Sequence, residues 1–164
     1  MKNLLISLFM ILFIGCTSKA PIPLTVLEKE TIKNEVKKEF YAMVEACNKV
    51  DVQAALKYYM DSPDFIGLGI DGMLVDFTTF KKMNEDFFNA AKSVQFPSIK
   101  EVFKVLAADK VLLIWQYKAE AILKTNEKIT FDKVGVTFLF EKIEGAWKIV
   151  YYQESALPPV MTKL

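Results

Sequence analysis

The sequence contains neither histidine nor arginine, and these two absences remove several kinds of chemistry. Without an imidazole, the chain has no side chain whose ordinary pKa lies near neutrality, and no histidine ligand for a metal. Without a guanidinium, it has no planar fork that binds a phosphate or carboxylate through two hydrogen bonds. We therefore expect neither histidine-dependent catalysis nor a metal site, and we predict no cofactor.

Cysteine is scarce, and the charges nearly cancel. Two cysteines in 164 residues are too few for a disulfide framework. The 21 lysines and 20 acidic residues leave a formal net charge of +1, so we expect no nucleic-acid partner. Apolar residues make up 52% of the chain and charged residues 25%, a composition that excludes disorder and is typical of one folded domain.

The first residues have the pattern of a signal peptide. Lys2 precedes an apolar run over residues 4–14, which is shorter than the roughly 20 residues of a membrane span and has the length of a signal-peptide core. The letters FIGC at residues 13–16 resemble the lipobox of bacterial lipoproteins, although phenylalanine stands where leucine is more usual. An ordinary secretory signal with an incidental cysteine is the alternative interpretation.

The lipobox resemblance implies cleavage before Cys16 and attachment of acyl chains to that residue. We predict a signal peptide over residues 1–15, a lipidated cysteine and tether over 16–24, one domain over 25–157 and a tail over 158–164. The expected location is the bacterial cell envelope, with the anchor in a membrane. The residue after Cys16 is not the aspartate that most often retains lipoproteins at the inner membrane, which favours the outer membrane.

The rest of the chain reads as helices followed by antiparallel strands. A capping box at Thr25 and Glu28, followed by apolar residues at steps of three and four, predicts a long first helix. A second helix is predicted over residues 52–60, and Asp71-Gly72 indicates a hairpin turn before a third helix. Four long strands are predicted at residues 99–107, 111–124, 129–142 and 147–155.

Residues 145–155, GAWKIVYYQES, resemble the Gly-x-Trp-Lys/Arg-Ile terminal strand of SnoaL-like, nuclear transport factor 2-like domains. The NKVD break at residues 48–51 and the DSPD segment at 61–64 are similar too, and the resemblance extends over about residues 28–156. It implies an α+β fold in which a curved antiparallel sheet wraps as a cone around about three N-terminal helices. It also implies a pocket at the open end in many members, and frequent dimerisation through the outer sheet face.

The family pattern does not carry a catalytic mechanism over to this chain. The family includes a ketosteroid isomerase, cyclases, dehydratases and non-catalytic binding domains, so the fold alone does not specify a function. The catalytic aspartate and tyrosine of the isomerase correspond to Leu68 and Met43 here. The histidine that many members carry on the last strand is replaced by Tyr151 and Gln153. Both of these acid–base arrangements are therefore disfavoured.

The last strand supplies the first group of candidate pocket residues. Residues two apart along a strand share a face, and Trp147 is expected to pack in the core. On that basis Tyr151, Gln153 and Ser155 are predicted to point inward. They either line a ligand pocket or form the polar rim of the core.

Aromatic residues elsewhere form a second group. Trp115 and Tyr117 alternate on one face of a strand and either stack on a ligand, pack in the core or lie in a dimer interface. Tyr59, at the end of the second helix, is expected to face inward. Cys47 lies on the apolar stripe of the first helix and is expected to be a buried, unreactive thiol.

Four aspartates surround the predicted hairpin: Asp61, Asp64, Asp71 and Asp76. They form either an acid–base pair or cation site, or a set of turn and capping residues. Asp64 opens a strand beside the expected pocket mouth, where burial would raise its pKa.

Three functions remain open at this stage. The first is a lipid-anchored domain that binds a small molecule or a partner without catalysis. The second is a cyclase-, isomerase- or hydratase-type enzyme that uses Asp64 with Tyr59 or Tyr151. The third is an assembly module that forms a homodimer through the outer face of its sheet.

Overall fold

The computed structural model describes residues 23–164, so the predicted signal peptide and Cys16 lie outside the described residues. This part of the chain contains three helices: α1 (Val26–Asn48), α2 (Val52–Leu56) and α3 (Phe77–Ala90). It also contains the eight strands of one mixed sheet: β1 (Ile66–Leu68), β2 (Leu74–Val75), β3 (Ala91–Gln95), β4 (Ser98–Ala107), β5 (Lys110–Leu123), β6 (Glu127–Ile143), β7 (Ala146–Ala156) and β8 (Val160–Lys163). No helix within residues 23–164 is long and apolar enough to cross a bilayer.

Helix α1 begins at the predicted capping box. The Glu28 backbone N–H donates to Thr25 Oγ1 at 3.2 Å, and the Thr25 backbone N–H donates to the Glu28 carboxylate at 2.7 Å. The helix buries Val36 and Phe40 completely. The ring of Phe40 meets that of Trp115 on β5 edge to face, with centroids 5.0 Å apart. These contacts seat α1 in the concave face of the sheet.

Helix α2 is shorter than predicted, because the chain leaves the helix to pair with β7. The Ile149 backbone N–H donates to the Tyr58 carbonyl at 2.8 Å, and the Met60 N–H donates to the Ile149 carbonyl at 2.9 Å. Tyr59 therefore lies in a parallel bridge opposite Ile149 and not on a helix. This bridge places the Tyr59 side chain beside the inner face of β7.

The predicted fold class, α+β with helices packed in a curved sheet, is confirmed. Strands β4 to β7 form the predicted antiparallel meander. The sheet is nevertheless mixed, because β1 pairs parallel with β7. Two short strands extend it at the far ends of the long strands: β3 pairs with β5, and β8 pairs with β6 after the Pro158-Pro159 segment.

A bulge in β7 corrects the predicted orientation of the last strand. Tyr151 pairs with Leu139 and Ile149 pairs with Phe140, so Val150 is an extra residue on this strand. Trp147 and Ile149 are buried on the inner face, as the alternation predicts. Beyond the bulge the alternation is inverted.

The inversion places three predicted pocket residues on the outer face. Tyr151, Gln153 and Ser155 do not line the interior, and the Tyr151 hydroxyl donates to Gln153 Oε1 at 3.1 Å on the outside of the sheet. Tyr152 and Glu154 take the inward positions instead. The assignment of the inner face was wrong beyond Val150, because one inserted residue shifts every later side chain to the opposite face.

Candidate functional site

A cavity of about 350 Å³ lies between the helices and the inner face of the sheet. Its wall is largely aromatic and apolar, with a few polar groups. The residues that line it are Met43, Val44, Cys47, Tyr59, Gly69, Ile70, Asp71, Phe80, Met83, Asn84, Phe87, Phe88, Phe96, Trp115, Tyr117, Ala119, Phe131, Val134, Phe138, Tyr152 and Glu154. None of them is a lysine.

One side of the cavity is formed by stacked rings on β5. Trp115 and Tyr117 are nearly parallel, with centroids 3.9 Å apart and an interplanar angle of 19°. The Phe96 ring meets Tyr117 edge to face at 5.7 Å. A hydrogen bond fixes the orientation of the Trp115 indole, because its Nε1–H donates to Ser98 Oγ at 3.1 Å. These rings present a fixed aromatic wall.

Glu154 is the acidic group in the interior of this cavity. Its carboxylate accepts a hydrogen bond of 2.9 Å from the Tyr117 hydroxyl. Burial raises the pKa of Glu154, and the hydrogen bond from Tyr117 opposes that rise only in part. The same contact and burial hold the pKa of Tyr117 well above its ordinary value. Glu154 and Tyr117 thus form a hydrogen-bonded pair of a carboxyl group and a phenol that is largely shielded from water.

Two more phenols lie near Glu154. Burial raises the pKa of Tyr59 and of Tyr152, and the negative charge of Glu154 raises both further. Their hydroxyls make no hydrogen bond to any residue within 23–164. In the described part of the chain, every fully buried polar side-chain atom has a hydrogen-bond partner. The two unbonded hydroxyls are therefore not fully buried, and both residues line the cavity, so the hydroxyls reach its open space. A ligand there would find two free donors.

Gly67 on β1 allows the ring of Tyr152 to occupy its place. A Cβ atom at Gly67 would lie 2.3 Å from Cε1 of Tyr152 and 2.8 Å from Cγ2 of Val75. Real side chains do not approach so closely, so β1 needs a glycine where the tyrosine ring lies against its backbone. A cavity residue therefore lies directly against the backbone of β1 at Gly67.

The mouth of the cavity lies between the β1–β2 hairpin and α3. Ile70, Met83 and Phe87 line the cavity and are also exposed, so they form its rim. Asp71 is used in the turn, where its Oδ1 accepts the Met73 backbone N–H at 3.0 Å. Asn84 donates to the Phe80 carbonyl at 2.8 Å. The rim is therefore mostly apolar.

Cys47 contributes an unreactive thiol to the cavity wall. Burial raises its pKa to about 12, so the thiolate that nucleophilic chemistry requires is not formed near neutral pH. The residue lines the cavity as a small apolar group. Within residues 23–164, no group of three or more potential ligands is placed to hold a metal ion.

The structure brings together only some of the predicted site residues. Tyr59, Trp115 and Tyr117 line the cavity. Asp64 does not: its side chain is exposed in the turn before β1, and the buried residue there is Phe65. Tyr151, Gln153 and Ser155 lie on the outer face for the reason given above. The prediction that Asp64 would be buried beside the cavity mouth is therefore wrong.

The residue that sequence reasoning missed is Glu154. The alternation along β7 assigned it to the outside, and a bulge of one residue reverses that assignment. The sequence does contain one weak signal near the end of the last strand, a lone acidic residue whose neighbours two positions away are Tyr152 and Ala156. That signal gains a meaning only when the position of the bulge is known.

Comparisons with known proteins agree with the fold described above. Solved structures of similar fold include a proposed scytalone dehydratase from Novosphingobium aromaticivorans, with a TM-score of 0.74 and 6% identity over 85% of this chain and 93% of that one. A proposed aromatic ring hydroxylase from the same organism has a TM-score of 0.69 and 15% identity over 81% and 94%. A type 3 LinA hexachlorocyclohexane dehydrochlorinase from Novosphingobium barchaimii has a TM-score of 0.65 and 13% identity over 84% and 94%.

At such identities these similarities show the fold alone. Among curated proteins, none matches the sequence. The family assignment comes from a family model, described as a SnoaL-like domain, which matches residues 36–161 and so covers most of the chain. The predicted resemblance is confirmed, and this chain belongs to the SnoaL-like domain family, within the nuclear transport factor 2-like fold.

Proposed function

We propose that this protein binds a small, largely aromatic or apolar molecule in the cavity, without changing it chemically, and does so at a membrane of the bacterial cell envelope. The observation that carries the proposal is the cavity itself, with its stacked Trp115–Tyr117 wall and the Tyr117–Glu154 hydrogen bond at its interior. Sites for small molecules are typically concave and apolar, with a few polar groups that fix the orientation of the ligand.

The size and wall of the cavity support a ligand of modest size. Its volume of about 350 Å³ lies at the lower end of the range for ligand sites, roughly 300–1,000 Å³. A flat ring would lie against the face of Trp115 or Tyr117, where stacking adds to the burial of apolar area. A hydroxyl or amine on that ring would donate to Glu154, while Tyr59 and Tyr152 offer hydroxyls to an acceptor.

A thermal-shift titration of the purified chain tests the proposal. The probe is tert-butylbenzene, an uncharged ring small enough for the cavity. Ligands that bind only the folded state raise the melting temperature with concentration. We expect a rise for the wild type and none for A119F, which places a ring in the cavity wall. L106F is the matched control, because Leu106 is exposed on β4 away from the cavity. An equal response of both variants would contradict the proposal.

An enzyme is the second candidate, and Glu154 is the observation that favours it. A carboxyl group whose pKa is raised by burial is suited to general acid–base chemistry near neutral pH. This carboxyl replaces Asp64 in the earlier hypothesis, with Tyr59, Tyr117 or Tyr152 as the partner phenol. The similar folds named as a dehydratase and a dehydrochlorinase show that such a cone accommodates enzymes.

Deuterium exchange distinguishes the enzyme from the binding protein. Small ketones that fit the cavity would be incubated with the chain in D2O, and C–H exchange would be followed by NMR. The enzyme hypothesis expects exchange that is faster with the wild type than with E154Q by about a hundredfold or more. The binding hypothesis expects no difference from buffer.

The outer face of the sheet supports a homodimer as a further proposal. Val102, Leu106 and Ile114 are about half exposed there, although they are large and apolar. Val102 and Leu106 lie on β4, which pairs only with β5, and Ile114 lies on β5 itself. None of the three lines the cavity, so a second copy could cover this face without altering the cavity. Light scattering coupled to size exclusion tests this: we expect a dimer for the wild type and a monomer for I114K.

A further inference from the structure

The cavity holds a carboxyl group without a counter-ion. The single described hydrogen bond of Glu154 comes from the neutral Tyr117 hydroxyl, and no lysine lines the cavity. The chain as a whole has no arginine and no histidine to approach it. Burying an unpaired carboxylate is costly unless a cation compensates it. When Glu154 is ionised, its charge therefore has no cationic partner among the residues within 23–164 that line the cavity.

The groups around Glu154 are of the kind that bind organic cations. Trp115 and Tyr117 present a stacked face, and Tyr59, Phe138 and Tyr152 add rings to the same cavity. Aromatic faces attract ammonium groups through their negative quadrupole, and the attraction increases when water is excluded. Asp71 at the mouth adds a second negative charge, and none of the residues within 23–164 that line the cavity is positively charged. Carboxylate and rings together complement a positive, weakly hydrated group.

We infer that the ligand of this cavity is an organic cation, an amine or quaternary ammonium compound with an apolar body, held by Glu154 and the surrounding aromatic rings. This inference rests on the proposed function and makes it more specific. The ammonium group lies beside the Glu154 carboxylate, and the apolar body lies between the rings of β5 and the side chains of α3. The apolar rim formed by Ile70, Met83 and Phe87 suits the body of such a molecule.

The binding of a cation beside Glu154 should depend on pH. Glu154 must be ionised to attract a cation, and burial delays its ionisation to a pH above the ordinary range of a glutamic acid. The titratable groups that face it are Cys47, Tyr59, Tyr117, Tyr152 and, at the mouth, Asp71. The thiol and the three phenols stay protonated across that range, because burial raises the pKa of each. The affinity for a permanently charged cation should therefore rise with pH as Glu154 loses its proton.

Two probes of the same shape, one charged and one neutral, separate the contribution of charge to the affinity from that of shape. Phenyltrimethylammonium and tert-butylbenzene differ in one atom, nitrogen or carbon, and in one positive charge. Calorimetric titration of the purified chain is expected to show about tenfold tighter binding of the cation. In E154Q this preference should disappear, because the side chain at this position can no longer carry a negative charge. D64N is the matched control, because Asp64 is exposed and outside the cavity.

The outcomes distinguish this inference from the proposed function. If both probes bind equally, or if E154Q keeps the preference for the cation, the cation inference is overturned and the binding site stands. If neither probe binds, both proposals fail. Should E154Q not fold, the wild type alone decides: an affinity for phenyltrimethylammonium that does not rise with pH contradicts the inference.

Discussion

The ionised form of Glu154 lowers the stability of the folded state, and the same side chain gives the cavity its buried carboxyl group. Burial penalises its charged form, and its partner, the Tyr117 hydroxyl, offsets the penalty only in part. A carboxyl group whose pKa is raised on folding makes the folded state bind more protons than the unfolded state. Glu154 should therefore contribute a loss of stability as pH rises from the ordinary range of a glutamic acid through its own raised range.

The substitution E154Q should remove this pH-dependent loss. At pH 8 we expect the variant to be more stable than the wild type, and at pH 4 or below the gain should vanish, because both side chains are then neutral. Each unit of pKa difference between the folded and unfolded states corresponds to about 1.4 kcal/mol. Chemical denaturation at the two pH values measures the difference. A gain of equal size at both would show that the charge of Glu154 is not its cause.

Gly67 makes a second prediction at the residue scale. In G67A the new methyl group would lie 2.3 Å from the Tyr152 ring, so the ring or β1 must move. Overpacking of this kind costs about 1–3 kcal/mol, which urea denaturation would detect. G135A is the matched control, because its methyl group would meet only Ser155, at 3.5 Å and beyond. Equal stability of the two variants would contradict the described packing of Tyr152.

At the scale of elements, the bulge in β7 shows where reading the sequence succeeds and where it fails. The helices, the hairpin at Asp71-Gly72 and the four long strands follow from capping, turn and alternation patterns. The bulge does not, because nothing in the local letters marks Val150 as an extra residue. Its position depends on the pairing of β7 with β6 and with the parallel strand β1, and β1 is distant in the sequence. Three site residues were misplaced and Glu154 was missed for this one reason.

The short strands were missed for a related reason. Strand β3 has the sequence AKSVQ, with little β-branched or aromatic content, and it exists because β5 extends beyond β4 and offers it an edge. Strand β8 likewise pairs with the end of β6 that β7 leaves free. Strand formation in such segments is decided by the neighbouring element and not by local propensity.

The β4 strand is tied to the cavity wall through a chain of hydrogen bonds. Tyr41 on α1 donates to Glu101 at 2.7 Å, Ser98 donates to the same carboxylate at 2.7 Å, and Trp115 Nε1–H donates to Ser98. S98A leaves the partly buried indole N–H without its partner. We expect a loss of about 1–2 kcal/mol in urea denaturation. S155A is the control, because Ser155 lies exposed on the outer face, and a similar loss there would contradict this role of Ser98.

At the scale of the whole molecule, α1 connects the proposed anchor to the cavity. Near the middle of α1 Glu35 accepts hydrogen bonds from Lys142 and Trp147, and the last turn of the helix carries Cys47 to the cavity wall. A helix of 23 residues is about 35 Å long. The start of α1 and the cavity wall at Cys47 therefore lie at opposite ends of this helix.

The proposed anchor makes its own prediction. Cells that express the full chain would be labelled with a palmitate analogue and fractionated. We expect label and membrane association for the wild type and for C47S, and neither for C16S, because only Cys16 stands at the lipobox. Label on C16S, or equal membrane association of all three proteins, would contradict lipidation at Cys16.

The measurement that tests the central claim most directly uses the two tryptophans of the chain as reporters. Trp115 forms the cavity wall, whereas Trp147 is hydrogen-bonded to Glu35 outside the cavity. Their indole N–H signals would be followed by ¹⁵N–¹H NMR during titration with tert-butylbenzene. Binding in the cavity predicts a saturable shift of the Trp115 signal and a stationary Trp147 signal. A stationary Trp115 signal, or equal shifts of both, would contradict the claim that this cavity is a ligand site.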